Sequence, residues 1–359
     1  DLTALTDPDP FPALVERLRP LLGRPARIVL VAASPLADAL AGFAAAAAAE
    51  QPGWRVLTVR LDCAAAPTPL AADAGRSAAL DGVAAGLAAL ATGQDRPSGT
   101  RLRLSAKGAA VARLVPVPVA AAWRPSAEGS YLITGGTGGI GVRVARHLLA
   151  RGAAEVVLAA RRPVLPAMLA DQAGRVRLVA ADLAAPDAVA RLLDGLPRLR
   201  GVFHAAGVTA DGTLAAGWDR LGRAVPAKAR AAAELDRLTR DRALDAFVLF
   251  GSSTAWFGLP GTAGYAAANG ALEGIARARH AAGLPALSVA WGAWQGIGMA
   301  SDPALWQDGR VPSLPEDAAL AALDAALAAG EPVLVATDPA WPVGAGEETI
   351  AAAAVGGWA

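Results

Sequence analysis

The chain has 359 residues, 54% hydrophobic and 18% charged, with 33 basic against 32 acidic side chains. That length suits two packed units with well-buried cores, and a net charge near zero argues against nucleic-acid or membrane-surface binding, which needs a basic field. One cysteine, Cys63, excludes an internal disulfide and a cysteine-cluster metal site, and an acidic, Pro-rich start without a long apolar run reads as a cytoplasmic protein with no membrane anchor.

In chain order, Arg27–Ala33 and Arg55–Leu61 read as strands, separated by an Ala-rich helix over 36–50. A second helix is expected over 77–91. Thr100–Leu104 and Ala110–Val115 follow as a strand pair turning at Lys107-Gly108. Pro116, Pro118 and Pro125 then mark a boundary, because proline interrupts both helices and central strands. This divides the chain into a first domain, 1–125, and a second, 126–359. From Ser130 the alternation is regular. Strands are expected at Tyr131–Thr134, Glu155–Ala160, Val176–Ala180, Gly201–His204, Ala246–Gly251, Leu287–Trp291 and Pro332–Ala336, with helices between them. Buried parallel strands separated by helices specify an α/β, Rossmann-type doubly wound sheet. The terminal Gly356-Gly357 stretch reads as a linker or frayed end.

The turn after the first strand of the second domain runs Thr134-Gly135-Gly136-Thr137-Gly138-Gly139-Ile140-Gly141 and opens a helix near Gly139. Glycines there allow a tight turn and bring backbone N–H groups to a pyrophosphate at a helix N-terminus. The next strand ends at Ala160-Arg161-Arg162. An acidic residue there would hold a ribose 2′-hydroxyl; arginines favour a 2′-phosphate, and therefore NADPH. Asp182, closing the following strand before Leu183, is placed to hydrogen-bond the adenine amine. His204 is a conceivable metal ligand, but His147 and His280 are the other histidines and no carboxylate pair is adjacent, so no metal is expected.

Lysine occurs only at 107 and 228, tyrosine only at 131 and 265, and Asn269 is the sole asparagine. Phe247–Thr254 reads as a strand ending in the hydroxyls of Ser252, Ser253 and Thr254 at the carboxyl edge of the sheet, where ligands bind in this architecture. Tyr265 comes thirteen residues after Ser252, and Asn269 shares its helix face at i, i+4. Lys228 lies 37 residues before Tyr265. Ketone reduction needs a proton donor and a second group to hold the oxygen. Tyrosine serves as the acid when nearby positive charge stabilises its phenolate.

The glycine loop and His204-Ala205-Ala206-Gly207 resemble the short-chain dehydrogenase/reductase superfamily. Tyr-x-x-x-Asn with the lysine moved upstream resembles the ketoreductase domains of modular polyketide synthases. The resemblance implies that Tyr265 is the proton donor, that Ser252 holds the ketone oxygen, that Lys228 lowers the tyrosine pKa and binds the cofactor ribose, and that Asn269 completes a proton relay. It selects Ser252 over Ser253 by spacing. It implies cofactor contacts from Thr134, Gly135, Thr137–Gly141, Arg161, Arg162, Asp182, Leu183, Ala205–Gly207, Lys228 and Tyr265. The first domain is then a truncated, cofactor-less Rossmann-like subdomain, with Ala33-Ser34-Pro35 where a glycine loop would stand. The substrate is a β-ketoacyl chain on the phosphopantetheine of an acyl carrier protein, handed on among neighbouring synthase domains. Gly298-Met299-Ala300 leads into a lid helix expected over 300–314, while a short Arg162–Arg175 connection suggests a reduced helix. Asp211, Phe257 (at the position of a tryptophan marker), Pro260 and Met299 are the stereocontrol positions, and Asp211 and Pro260 match the type that gives a D (3R) alcohol. Two other readings are weighed against this one: a catalytically silent scaffold, and a reductase of another keto substrate.

Overall fold

The computed structural model describes residues 11–33, 36–61, 100–105, 108–117, 123–208, 212–298, 313–337 and 354–358. The strands are β1 (Ala26–Ala33), β2 (Trp54–Leu61), β3 (Thr100–Ser105), β4 (Gly108–Pro116), β5 (Ser130–Thr134), β6 (Glu155–Ala160), β7 (Val176–Ala180), β8 (Leu199–His204), β9 (Ala246–Ser252), β10 (Leu287–Trp291), β11 (Ala293–Trp294), β12 (Ser313–Leu314), β13 (Val333–Ala336) and β14 (Ala354–Trp358). Twelve of them form one sheet in the order β1-β2-β3-β4-β14-β13-β10-β9-β8-β5-β6-β7. The longer helices are α1 (Phe11–Leu18), α2 (Leu36–Glu50), α3 (Gly139–Ala150), α4 (Ala188–Asp194), α5 (Ala231–Leu238), α6 (Ala263–Ala281) and α7 (Glu316–Ala329).

From β7 across to β13 every described pairing is parallel. Strands β5 and β10 are buried along their whole length, and β9 over its first five residues, because helices cover both faces. In the first region β1, β2 and β3 pair in parallel and β4 returns antiparallel. The Gly356-Gly357 stretch is no frayed end: it lies in β14, antiparallel to both β4 and β13, and joins the two regions through backbone hydrogen bonds. Glycine has no side chain to signal a strand, which is why composition misses it.

Helix α2 is buried from Ala37 to Ala47 because it lies between β1–β2 on one side and α6 on the other. Its small side chains permit that. A Cβ on Gly42 would collide with the Ala266 carbonyl of α6, and one on Gly270 would collide with the Asp38 carbonyl of α2. Between β6 and β7 the connection is a 3-10 turn, Ala167–Arg175, in keeping with the short spacing. The helix expected over 77–91 lies outside the described residues, as do residues 300–312 of the expected lid helix. Its last two residues are strand rather than helix: Ser313–Leu314 pairs with Ala293–Trp294, and Pro312 and Pro315 flank it, each unable to continue a helix.

Candidate active site

Strand order reverses between β5 and β8, whose next neighbours in the sheet are β6 and β9. A crevice opens outside the carboxyl ends at such a point. Thr134 and His204 are cross-strand partners at those ends. The His204 Nε2 lies 2.9 Å from the Lys228 carbonyl, which can only accept, so Nε2 carries the proton. Nδ1 is then an acceptor, and the Thr134 hydroxyl donates to it at 2.7 Å. Burial, reinforced by the Lys228 charge, pushes the imidazole pKa down to about 3, so it stays neutral. Both ring nitrogens are committed, and among the described residues no cluster of three metal-binding side chains exists. His204 thus holds the backbone at Lys228 through one ring nitrogen and the Thr134 hydroxyl through the other.

The backbone it holds is a π-turn, Pro226–Arg230. Such turns recur where a side chain must be aimed at a site. Lys228 is 3% exposed; its Nζ donates to the Phe250 carbonyl at 2.8 Å and sits 5.5 Å from the centroid of the Tyr265 ring. Burial lowers its pKa to about 8. Tyr265 is buried near the start of α6. Asn269, one turn on, donates from Nδ2 to the Tyr265 carbonyl at 2.8 Å. Its Oδ1 is buried with no hydrogen-bond partner. Ser252 ends β9 and is half-buried. Its Oγ accepts from the Thr254 N–H at 3.3 Å and the Thr254 hydroxyl at 3.1 Å, which leaves its own proton to donate elsewhere. Ser253, the competing serine, is buried. The sequence placed the Thr254 hydroxyl at this edge but gave no sign that it donates to Ser252.

The glycine loop has the form its sequence implies. Gly135 has φ +67°, and a Cβ there would lie 2.8 Å from the Ala206 Cα. Gly138 precedes α3 with no side-chain cap, so the first-turn N–H groups of α3 lack a side-chain acceptor. Thr137 is half-buried and Gly138 exposed. Gly139 and Ile140 lie against Ile297-Gly298, the stretch that leads out of β11. Arg161 and Arg162 are exposed beyond the carboxyl end of β6. Asp182 is exposed, with Oδ1 accepting from the Ala184 N–H at 3.2 Å, and Leu183 packs on a hydrophobic core. Ala205 and Ala206 are half-buried, and Gly207 is exposed. A Cβ on Gly207 would come within 3.3 Å of the Lys228 ammonium. The glycine cradle, uncapped helix start, flanking arginines and orphan amide oxygen fit a dinucleotide. Asp211 and Met299 lie outside the described residues; Phe257 is half-buried and Pro260 exposed in the segment between β9 and α6. A cavity of about 1330 Å³ at the amino-terminal edge of the sheet, lined by Glu128, Glu155, Arg175 and Arg198, lies away from all these groups.

Comparison with known proteins agrees with this geometry. A family model described as "KR domain" matches residues 129–296. The chain is 45% identical over 273 residues to polyketide synthase GfsA of Streptomyces halstedii, covering 70% of this chain and 4% of that protein. It therefore spans a small fraction of the curated relatives it matches. Among solved structures it resembles an A-type ketoreductase from a modular polyketide synthase, with 35% identity, TM-score 0.75, and coverage of 90% of this chain and 71% of the other. It also resembles the first ketoreductase of the tylosin synthase, with 34% identity, TM-score 0.72, and coverage of 92% and 73%.

Proposed function

The chain belongs to the ketoreductase domains of modular polyketide synthases, NAD(P)H-dependent oxidoreductases that reduce β-keto groups, and on that premise we propose that it uses NADPH to reduce a β-ketoacyl thioester carried by an acyl carrier protein to the D (3R) alcohol. Residues 126–359 do the chemistry, and residues 1–125 act as the structural subdomain. Its partners are the carrier and the neighbouring synthase domains, in the cytoplasm. No helix among the described residues is long and apolar enough to cross a membrane.

The reading rests most on one observation: an ammonium, buried in protein, 5.5 Å from the centre of the ring of Tyr265. A cation next to a phenol stabilises the phenolate and so makes the phenol a better acid. The glycine loop, the α3 start, Arg161, Arg162, Asp182 and Leu183 would hold the dinucleotide, with Ala205–Gly207 beneath it. When bound, the cofactor supplies the hydride that reaches the keto carbon. Ser252, with its oxygen already accepting from Thr254, donates its proton as a hydrogen bond to the ketone oxygen and orients it. Tyr265 transfers its phenolic proton to the same oxygen, so hydride and proton together make the alcohol. Lys228 holds the negative charge left on the phenolate. Asn269, with a free amide oxygen, completes the path by which a proton returns to Tyr265. The arginines beyond β6 are the reason for choosing the 2′-phosphorylated cofactor.

The test is turnover of trans-1-decalone and of a β-keto diketide thioester with NADPH and with NADH. Tyr265→Phe should lower kcat/KM by about 10²–10⁴-fold while the folded variant still binds NADPH. The wild type should prefer NADPH and give mainly the D alcohol. A folded wild type that binds no NADPH and reduces neither substrate would instead be a scaffold, and a mainly L product would overturn the configuration.

A further inference from the structure

Given that function, the configuration of the product depends on how firmly the hydroxyls of Ser252 and Tyr265 are held relative to one another. We infer that Arg101, in the first region, is a positioning residue for this pair, acting through Glu273 and Trp256. It projects from β3, and its Nη1 donates to Glu273 Oε2 at 3.0 Å while its Nη2 donates to the Ala255 carbonyl. The guanidinium lies 4.0 Å over the Trp256 ring, and the indole N–H of Trp256 donates to Glu273 Oε1 at 2.7 Å. The four groups close a ring of contacts, with Arg101 and Glu273 7% and 1% exposed.

Each side of that ring ends at a reacting hydroxyl. Ala255 and Trp256 belong to the short helix Thr254–Phe257, whose first residue donates twice to Ser252. Glu273 continues the i, i+4 row of α6 that begins Tyr265, Asn269. At 1.5 Å per residue it stands about 12 Å along the helix from the tyrosine. The clamp thus ties the turn that carries the serine to the helix that carries the tyrosine, through an arginine 172 residues before Glu273. Trp256, held this way, is committed to the interface, and the aromatic that follows it is Phe257.

Stability alone is a weak account of such a group, because a buried ion pair can often be replaced by apolar residues without loss. What a guanidinium adds is shape. Its planar fork meets a carboxylate, a carbonyl and an indole face together, which an ammonium cannot do. Glu273 has a second cation, Arg277, at 3.7 Å, so its charge keeps a partner when Arg101 is changed.

The test compares Arg101→Lys and Trp256→Phe with Leu193→Ala, a core truncation on α4, outside the clamp. The readouts are the unfolding midpoint and the ratio of D to L alcohol from the β-keto diketide thioester. Loss of folded enzyme lowers turnover but leaves that ratio unchanged; loosened positioning changes it. Both clamp variants should raise the minor alcohol relative to the major by about fivefold, the scale of one ordinary hydrogen bond, and Leu193→Ala should not. If either variant fails to fold, the other decides. Folded clamp variants with the wild-type ratio overturn the inference and leave the ketoreductase reading intact. A wild type that reduces neither decalone nor thioester overturns both.

Discussion

Two strand–helix–strand units in this molecule share a geometry and diverge in use. β1–α2–β2 and β5–α3–β6 are both parallel units. In the second, glycine is concentrated in the turn, where Gly135 adopts φ +67° and Gly141 packs on the Gly135 carbonyl, and the turn opens onto the crevice. In the first, the sequence between β1 and α2, Ser34-Pro35, has no glycine, and glycine stands instead in the helix, at Gly42, where it admits the backbone of α6. Accordingly α3 buries one face, whereas α2 is buried through eleven consecutive residues, Ala37 to Ala47. Where glycine sits decides whether the unit approaches a ligand or another helix. The first unit is a support for the Tyr265 helix; the second is a cradle.

The comparison can be broken at the points where each unit depends on close approach. The largest effect is expected on the cradle side. The His204 pKa is depressed in the folded protein to about 3 from 6.5, so the stability it contributes is present above pH 6.5 and is lost as pH falls toward 3. The loss should be about 5 kcal/mol. Urea unfolding across that range should show it for the wild type, and His204→Asn should lack that component of the slope. On the support side, Gly42→Ala should destabilise by about 4 kcal/mol, because its Cβ meets a backbone oxygen that cannot swing aside. By contrast Gly138→Ala in the cradle turn, with 3.2 Å to the Gly135 carbonyl, should cost under about 1 kcal/mol. Equal losses in thermal melts would show that α2 and α6 are not locked together. A smaller effect than that of Gly42→Ala belongs to Lys228, whose pKa is lowered to about 8 from 10.5. The unfolded chain binds its proton more readily, so cofactor-free protein should gain about 3 kcal/mol relative to Lys228→Met as pH rises from about 8 to 10.5.

Much of the candidate site was legible because the chemistry proposed for it uses residue types this chain otherwise avoids. Lys228, Tyr265 and Asn269 stand out in a sequence of Ala, Leu, Gly and Arg, and their offsets match a known arrangement. Arg101 and Glu273 did not stand out, since each is one arginine or glutamate among many and their pairing spans 172 residues. The role of His204 was half legible. The scarcity of partner ligands pointed to a structural role, but its tautomer and its grip on the Lys228 carbonyl needed coordinates. β14 was illegible for a different reason: Ala-Val-Gly-Gly-Trp has little local preference for a strand, and pairing with β4 and β13 on both sides supplies what propensity does not.

By itself the sequence determined the alternation of strands and helices, the glycine turn, the basic end of β6 and the spacing of lysine, serine, tyrosine and asparagine. These are local properties, carried by side-chain period, glycine and residue type within short windows. Only the tertiary structure decided that α2 lies against α6, that an imidazole holds the lysine turn, and that an arginine from the first region closes on the serine turn. Those depend on which surfaces meet when the chain folds. Contacts between distant segments follow from packing and the exclusion of water, which leave no periodic trace in either segment alone.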